Sequence, residues 1–337
     1  MAGISRRVAL TGFASLGAAT LVVPHRTASA AALGMAPNCG PELITATAPA
    51  LYPEGTAWDP YRHALLVGSA TQGTVSVVGL DGTVRPLVPS LGLVSTLGME
   101  VDRSRKRLYV AYSDYWVRRF VPVTQPPTSG VAVINLVTGR VVRKIDTALG
   151  RADTFANDLT VDHATGSVYV TDCVSDTVQV IDRHGNVGAL ITDPRFRSPD
   201  IGLNGIAWHP GGYLLTARYD TGSLFRISLG GRPKASVVAT KAPLSGIEGF
   251  TLRPDGTLLA ARNSLGAPGG LDAVIGLGSA DGWHTARLVN RVEPWPLKAP
   301  TAVAYGPMGT YALSGQMDKL LTGGMTETKF WLRRVPF

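Results

Sequence analysis

An internal repeat of this chain carries polar side chains at a position where a structural repeat would carry similar residues throughout. Six units align on an apolar residue, and the residue four positions earlier is, in chain order, Glu54, Leu97, Asn157, Asn204, Glu248 and Thr301. Two carboxylates held close together repel each other unless a cation compensates. Carboxylate and amide oxygens are hard ligands suited to Ca²⁺, Mg²⁺ or Mn²⁺. The pattern therefore indicates a divalent metal site.

An ordinary structural role is the alternative for these residues. Asn157 or Asn204 alone would be a common turn former ahead of a strand. Glutamate has no special role in turns, and Glu54 and Glu248 both precede a glycine in front of an apolar run. We therefore take these four residues together as the candidate ligand group.

The repeat also predicts the elements that position this group. In the third unit, apolar or alternating runs at 157–162, 167–172, 177–182 and 187–191 are separated by turns rich in Gly, Asp and Asn. Such a unit is typical of a four-stranded antiparallel meander. Successive units begin 43 to 60 residues apart, close to the roughly 40 to 50 residues of a propeller blade. We predict an all-β, six-bladed β-propeller that forms a single domain over residues 31–337.

The two ends of the chain complete the predicted ring. The last unit ends with the run 329–335, which matches a third strand, so its outer strand is missing. The run 42–47 lies ahead of the first unit and has no blade of its own. Pairing these two runs would close the ring and remove two exposed sheet edges. We expect residues 42–47 to lie in the sixth blade.

In a propeller, the residues that open the inner strands meet at one mouth of the central tunnel. The loops between the second and third strands open onto the same mouth, and among their residues Trp116, Arg218 and Arg262 are candidates for binding a substrate. The long insertion 112–130 belongs to one of these loops. It is either a lid or a passive addition.

Short motifs around the candidate ligands carry a resemblance to a known family. They are Pro53-Glu54-Gly55-Thr56-Ala57-Trp58, Asn157-Asp158, Leu203-Asn204-Gly205 and Gly246-Ile247-Glu248-Gly249. On these motifs the chain resembles the senescence marker protein/gluconolactonase/luciferin-regenerating enzyme family of six-bladed, metal-dependent propellers, over essentially all of residues 31–337. Thr56 stands where Pro is usual in the family. Phe155 stands where some members carry a substrate-binding Arg.

The resemblance implies roles for individual residues. Glu54, Asn204 and Glu248 would hold one divalent cation, with Ca²⁺ as the first choice and Mg²⁺, Mn²⁺ or Zn²⁺ as alternatives. Asn157 and Asp158 would contact a small-molecule substrate. The family has Asp in place of Glu248, as both ligand and general base, so Glu248 is the candidate catalytic residue. Because Glu is one methylene longer, the water it activates must occupy a different position.

With these residues, the resemblance implies a metal-dependent hydrolase that opens a lactone or an ester. The metal would polarise the carbonyl group, and a carboxylate-activated water would attack it. Two other functions stay open. One is a propeller that binds a ligand without catalysis, since fold does not determine function. The other is a metal-free biosynthetic enzyme similar to strictosidine synthase, which would not need the cluster of oxygen ligands.

The first thirty residues predict an export signal. Ser5-Arg6-Arg7 precedes an apolar stretch at 8–23, and Ala28-Ser29-Ala30 offers a cleavage site. The stretch is shorter than the ~20 apolar residues of a membrane span. We predict a twin-arginine-type signal peptide over residues 1–30 and a secreted protein that is not inserted in the membrane after signal removal.

Charge and cysteine content narrow the remaining partners. The formal charge of +8 falls to +5 without residues 1–30, which contain three arginines and no acidic residue. No basic cluster interleaved with aromatic residues follows, so we expect no nucleic-acid partner. The predicted ring places Cys39 on the last blade and Cys173 on the third, farther apart than the ~7 Å that a disulfide permits. We therefore expect these cysteines to be unbridged. The oligomeric state stays open.

Overall fold

A computed structural model describes residues 39–337, and these residues form six antiparallel sheets arranged as a six-bladed β-propeller. The predicted fold is confirmed. The inner strands of neighbouring blades contact each other around the whole ring, including the last blade against the first. The predicted signal peptide lies outside the described residues.

The strands follow the chain from the axis outward in the first five blades, after an opening strand β1 (Leu43–Thr47). The first two blades contain β2 (Thr56–Asp59), β3 (Ala64–Val67), β4 (Val75–Val78), β5 (Val84–Val88), β6 (Ser95–Asp102), β7 (Arg107–Ser113), β8 (Ser129–Asn135) and β9 (Val141–Asp146). The third and fourth contain β10 (Ala156–Val161), β11 (Val168–Asp172), β12 (Thr177–Ile181), β13 (Val187–Thr192), β14 (Leu203–His209), β15 (Tyr213–Arg218), β16 (Leu224–Ser228) and β17 (Lys234–Val237).

The fifth blade has an additional short strand. Its sheet contains β18 (Ala239–Thr240), β19 (Ile247–Leu252), β20 (Leu258–Arg262), β21 (Ala273–Gly278) and β22 (Thr285–Val292). β18 pairs in parallel with the outer strand β22, directly after the fourth blade ends. It therefore extends the fifth sheet by a fifth strand, which the repeat did not predict.

The two chain ends share the sixth blade. This blade contains β23 (Pro300–Gly306), β24 (Gly309–Ser314), β25 (Lys329–Val335) and the opening strand β1. β1 runs antiparallel to β25, with Leu43 opposite Arg333 and Thr47 opposite Lys329. The predicted closure of the ring by an N-terminal strand is confirmed.

Burial explains why the strands of a blade differ in composition. All residues of β3 and β11 are buried, because these strands are covered by neighbouring sheets on both faces; β3 is wholly apolar, and β11 is apolar except for Thr171 and Asp172 at its end. The outer strand β9 is exposed at all positions except Ile145. The apolar core consequently lies between the blades, which leaves the axis free for polar side chains.

Two short helices lie in loops at one mouth of the tunnel. They are α1 (Val117–Phe120), within the insertion after β7, and α2 (Met317–Gly323), between β24 and β25. A single 3₁₀ turn, Pro194–Phe196, follows β13. The sequence shows no helical periodicity at these places, because elements of one or two turns are too short to produce one. None of the helices among residues 39–337 has the length and apolar character that a bilayer span requires.

Candidate metal and substrate site

β-Bulges in the inner strands turn three of the four candidate ligands toward the axis. The pairing of the inner strand with the second strand shifts register within residues 156–159, 203–206 and 247–250, and each range contains one of the polar residues of the repeat. A bulge bends the strand and redirects a side chain. The residue after Asn204 must be small, since a Cβ at Gly205 would lie 2.2 Å from the backbone oxygen of Glu248 on the next blade.

The four polar residues of the repeat line one cavity. Glu54, Asn157, Asn204 and Glu248 form its floor, and the cavity has a volume of about 140 Å³. Their exposed fractions are 7, 4, 3 and 7%. The structure therefore brings the complete predicted ligand group together, away from solvent.

Two amide groups hold the carboxylate of Glu248. Asn204 Nδ2 donates a hydrogen bond to Glu248 Oε2 at 2.6 Å, and Asn263 Nδ2 donates to Glu248 Oε1 at 2.7 Å. Asn263 is oriented in turn by Tyr219, whose hydroxyl donates to Asn263 Oδ1 at 2.8 Å. These contacts fix the position of Glu248 and turn the amide oxygen of Asn204 away from it.

Three buried oxygens of the floor have no hydrogen-bond partner within residues 39–337. They are Glu54 Oε2, Asn157 Oδ1 and Asn204 Oδ1. A buried polar atom left unsatisfied destabilises a fold by about 1–3 kcal/mol. One carboxylate oxygen and two amide oxygens are the donor set that a hard divalent cation accepts. The residues present therefore fit such a cation.

This donor set differs from the usual clusters of metal-binding side chains. Within the described part of the chain, no group of three or more His, Cys, Asp or Glu residues is arranged to hold a metal. The candidate site contains two carboxylates, and amide oxygens supply the rest. Neutral amide ligands match the oxygen preference of Ca²⁺ and Mg²⁺, whereas Zn²⁺ sites use mainly nitrogen and sulfur ligands.

Burial raises the pKa values of the carboxyl groups around the axis. The pKa of Glu54 lies well above its usual value, first because of burial and then because of the charges of Glu248 and Asp158. Burial raises the pKa of Glu248 to about 7, against the lowering effect of its bonds to Asn263 and Asn204. A positive charge at the floor would favour the ionised form of these groups.

Aromatic side chains from the long insertion form one wall of the cavity. Phe155 and Trp116 line it directly. Tyr115 stacks on Phe155 with ring centroids 4.3 Å apart, and Trp116 meets Phe155 edge to face. The guanidinium of Arg119 lies 4.6 Å from the centroid of Trp116, at the exposed end of the wall. The insertion therefore contributes to the site and is more than a passive addition.

Aliphatic side chains form the opposite wall. Leu265 comes from the loop after β20, and Met317 and Leu321 come from α2. The repeat alignment did not indicate any of these three residues, because the loops that carry them differ from blade to blade. The extra length between β24 and β25 is the only signal in the sequence for Met317 and Leu321.

Three of the predicted substrate-binding residues do not line this cavity. Asp158 lies further along the axis, where its carboxylate accepts hydrogen bonds from the backbone of Leu159 and Ile206. Arg218 is paired with Asp220. Arg262 is buried and donates to the backbone oxygen of Ser245 at 2.9 and 3.2 Å. Of the predicted substrate-binding group, Asn157 and Trp116 line the cavity.

Asp158 and two histidines face the other mouth of the tunnel. A larger opening there, of about 750 Å³, is lined by Asp158, His163 and His209, among others. The imidazole of His163 pairs with Glu100, with Nε2 and Oε1 2.9 Å apart. Burial raises the pKa of Asp158 to about 7. The histidines are therefore separate from the candidate ligand group.

The two cysteines lie in different environments. Cys39 is exposed and Cys173 is buried, and neither forms a disulfide in the described structure. Burial raises the pKa of the Cys173 thiol well above its usual value. A thiol with a raised pKa is a poor nucleophile.

Comparisons with known proteins identify propellers of the predicted kind. No protein-family profile matches the chain, and no curated protein sequence matches it. Among solved structures, the allergen Mala s 1 of Malassezia sympodialis is similar with a TM-score of 0.68 and 18% identity, over 87% of this chain and 96% of the allergen. Regucalcin of Agrobacterium tumefaciens, described as a calcium-binding protein, is similar with a TM-score of 0.57 and 18% identity, over 84% of this chain and 90% of regucalcin.

A candidate gluconolactonase is also similar, with a TM-score of 0.59 and 16% identity, over 89% of this chain and 97% of the other. A luciferin-regenerating enzyme is a further structural neighbour. The structural neighbours thus include the proteins of the senescence marker protein/gluconolactonase/luciferin-regenerating enzyme family that the motifs resemble. At these identities, the likeness shows a shared fold.

Proposed function

We propose that this protein is a hydrolase that depends on a divalent cation and opens a lactone or an ester. The observation that carries the proposal is a set of three buried oxygens, on Glu54, Asn157 and Asn204, that have no hydrogen-bond partner among residues 39–337 and line one cavity with the carboxylate of Glu248. The names of two structural neighbours, a candidate gluconolactonase and a calcium-binding regucalcin, support the same class of activity.

The floor residues would bind the cation and balance its charge. Glu54, Asn157 and Asn204 would hold the cation through their open oxygens, and the negative charges of Glu54 and Glu248 would balance its charge. A divalent cation bound there polarises a carbonyl oxygen and stabilises the negative charge that develops on it. Ca²⁺ or Mg²⁺ suits this oxygen donor set best.

Glu248 would act as the general base. Burial raises its pKa to about 7 in the cation-free protein, and a bound cation would lower this pKa and keep the carboxylate ionised, the form that accepts a proton. It would take a proton from a water molecule whose oxygen attacks the carbonyl carbon of the substrate. The C–O bond of the ester then breaks, and the proton passes to the departing oxygen, which gives a hydroxy acid from a lactone.

Asn263 would be a positioning residue for this step. Its amide donates to Glu248 Oε1 and leaves the carboxylate one fixed orientation, because Tyr219 holds the other end of Asn263. The aromatic and aliphatic walls would exclude bulk water from the carbonyl group.

A panel of lactones and aryl esters tests the proposal. We expect turnover that disappears with a chelator and returns with Ca²⁺ or Mg²⁺. The Glu248→Gln variant should lose activity by about 10²-fold or more, the usual contribution of a general base. Glu42→Gln is the matched control, because Glu42 is an exposed carboxylate directly before β1 in the sixth blade. This variant should have wild-type activity. Full activity after both chelation and Glu248→Gln would contradict the proposal.

A ligand-binding protein without catalysis is the second candidate. The observation in its favour is that both oxygens of Glu248 already accept hydrogen bonds from amides. Under this alternative, the cation would be retained but no member of the panel would be hydrolysed. A metal-free enzyme similar to strictosidine synthase would instead show activity that a chelator leaves unchanged.

We further propose that the protein is exported through a twin-arginine-type signal at residues 1–30. The arginine pair, the apolar stretch and the small residues at 28–30 support this proposal.

A further inference from the structure

We propose that the substrate is an apolar cyclic ester, with an aryl or alkyl group next to the lactone ring, and not a polyhydroxylated sugar lactone. The inference rests on the proposed hydrolase function and adds the class of substrate. It follows from the walls of the cavity, from their hydrogen-bonding capacity and from the cavity volume.

The walls above the floor are mostly apolar. Phe155 and Trp116 cover one side, and Leu265, Met317 and Leu321 cover the other. Phe155 is 1% exposed and is held by stacking on Tyr115, so it cannot turn aside to admit a polar group. Removal of apolar substrate surface from water against these walls would favour binding.

The hydroxyl groups on the walls already have partners. The Tyr219 hydroxyl donates to Asn263 Oδ1 and accepts from the backbone N–H of Gly266. Thr301 Oγ1 donates to the backbone oxygen of Glu54 at 2.7 Å. The charged wall residues are Arg119 and Asp200, and both are exposed at the mouth.

A sugar lactone would therefore leave several hydroxyl groups without partners inside the cavity. Each buried hydroxyl without a hydrogen bond weakens binding by about five-fold or more. The open oxygens of the floor cannot serve these hydroxyls if they hold the cation. A polyhydroxylated ring would then bind at least about 100-fold more weakly than an apolar ring of the same size.

The volume of the cavity fits one small ring. At about 140 Å³, it is close to the roughly 150 Å³ of an apolar protein cavity that holds benzene. A lactone ring whose carbonyl faces the floor and whose CH₂ groups contact Phe155 and Leu321 would fill it. A phenyl or alkyl substituent on this ring would extend along the wall through the mouth, past Trp116 and Arg119.

The test compares two pairs of ligands on the full chain in the presence of Ca²⁺. The first pair is δ-valerolactone with a phenyl substituent and glucono-δ-lactone, compared by kcat/KM. The second pair is the two corresponding lactams, which resist hydrolysis and report binding by calorimetry. Leu321→Gln places an amide on the half-buried aliphatic wall. Leu288→Gln is the matched control, on the outer strand β22, where Leu288 is 46% exposed.

We expect the phenyl ligand of each pair to be favoured by about 100-fold, and Leu321→Gln to reduce this preference by about ten-fold. Leu288→Gln should leave it unchanged. A preference for the phenyl lactam without turnover of any lactone would support the apolar ligand class and contradict the hydrolase function. Turnover with glucono-δ-lactone preferred would contradict the apolar class alone. Binding of neither lactam, or an unchanged preference in Leu321→Gln, would also overturn the inference.

Discussion

The buried carboxyl groups of the floor predict that the cation-free protein becomes less stable as the pH rises. Burial raises the pKa of Glu248 from its ordinary 4.5 to about 7, so the folded protein binds this proton more tightly than the unfolded chain does. Between these two pH values the folded state holds more protons, and stability therefore falls as pH increases. The contribution is fully present below pH 4.5 and is lost by the time the pH has passed 7.

The size of this fall follows from the shift in pKa. One pKa unit corresponds to about 1.4 kcal/mol, so a shift from 4.5 to about 7 gives a loss of about 3 kcal/mol for Glu248. The pKa values of Glu54 and Asp158 are raised as well, so their effects have the same sign. We expect the free energy of unfolding to fall by at least about 3 kcal/mol between pH 5 and pH 8.

Urea unfolding followed by tryptophan fluorescence, in chelator and at four pH values from 5 to 8, measures this fall. Glu248→Gln removes the titrating group, and Asn204 can rotate to offer its free amide oxygen to the new amide. This variant should show a fall smaller by about 3 kcal/mol, whereas Glu42→Gln should follow wild type. Stability that is constant or rises over this range, or an equal fall in Glu248→Gln, would refute the reasoning.

Other predictions concern the supports of the site. Asn263→Leu removes the donor to Glu248 and the acceptor of Tyr219, and should lower the free energy of unfolding in urea by about 1–3 kcal/mol. Tyr219→Phe should lower it by less. Wild-type stability in both variants would contradict this network. Thr301→Val removes a hydrogen bond between the last and first blades and should cost about 1 kcal/mol in the same assay. Saturating Ca²⁺, at ~100 times its Kd, should add about 2.7 kcal/mol to the stability of wild type, and no gain would indicate that the floor binds no cation. Replacing Arg6 and Arg7 by Lys should retain the precursor inside the cell, which immunoblotting of culture medium against cell extract measures.

The sequence predicted the parts of this structure that repeat. Strand runs such as 177–181 recur with the same turns, so the number of blades and the closure by β1 followed from counting them. The four floor residues were found because they occupy one position of that repeat. The bulges at Asn157, Asn204 and Glu248 were not predicted, since a bulge depends on pairing with the next strand.

The walls of the cavity could not be predicted in the same way. Arg218 and Arg262 were predicted to bind a substrate because they lie in loops at the mouth. In the structure Arg218 pairs with Asp220, and Arg262 donates to the backbone oxygen of Ser245. The short spacing between Arg218 and Asp220 in the sequence is a signal for the first of these pairs. Asn263 reaches Glu248 because it follows β20, which pairs with β19 in the same blade, and Tyr219 of the preceding blade orients its amide. α2 is too short to give a periodic pattern, so its contribution to the aliphatic wall appeared only in three dimensions.

Calorimetric titration of the cation-free protein with Ca²⁺, Mg²⁺, Mn²⁺ and Zn²⁺ tests the central claim most directly. Wild type and the control Glu42→Gln should bind one Ca²⁺ in the micromolar range. Glu54→Gln and Asn204→Ala, which alter two of the three open oxygens, should each weaken binding by about ten-fold or more, because a charge or a ligand is lost from the site. Binding that is absent in wild type, or unchanged in both variants, would contradict the account.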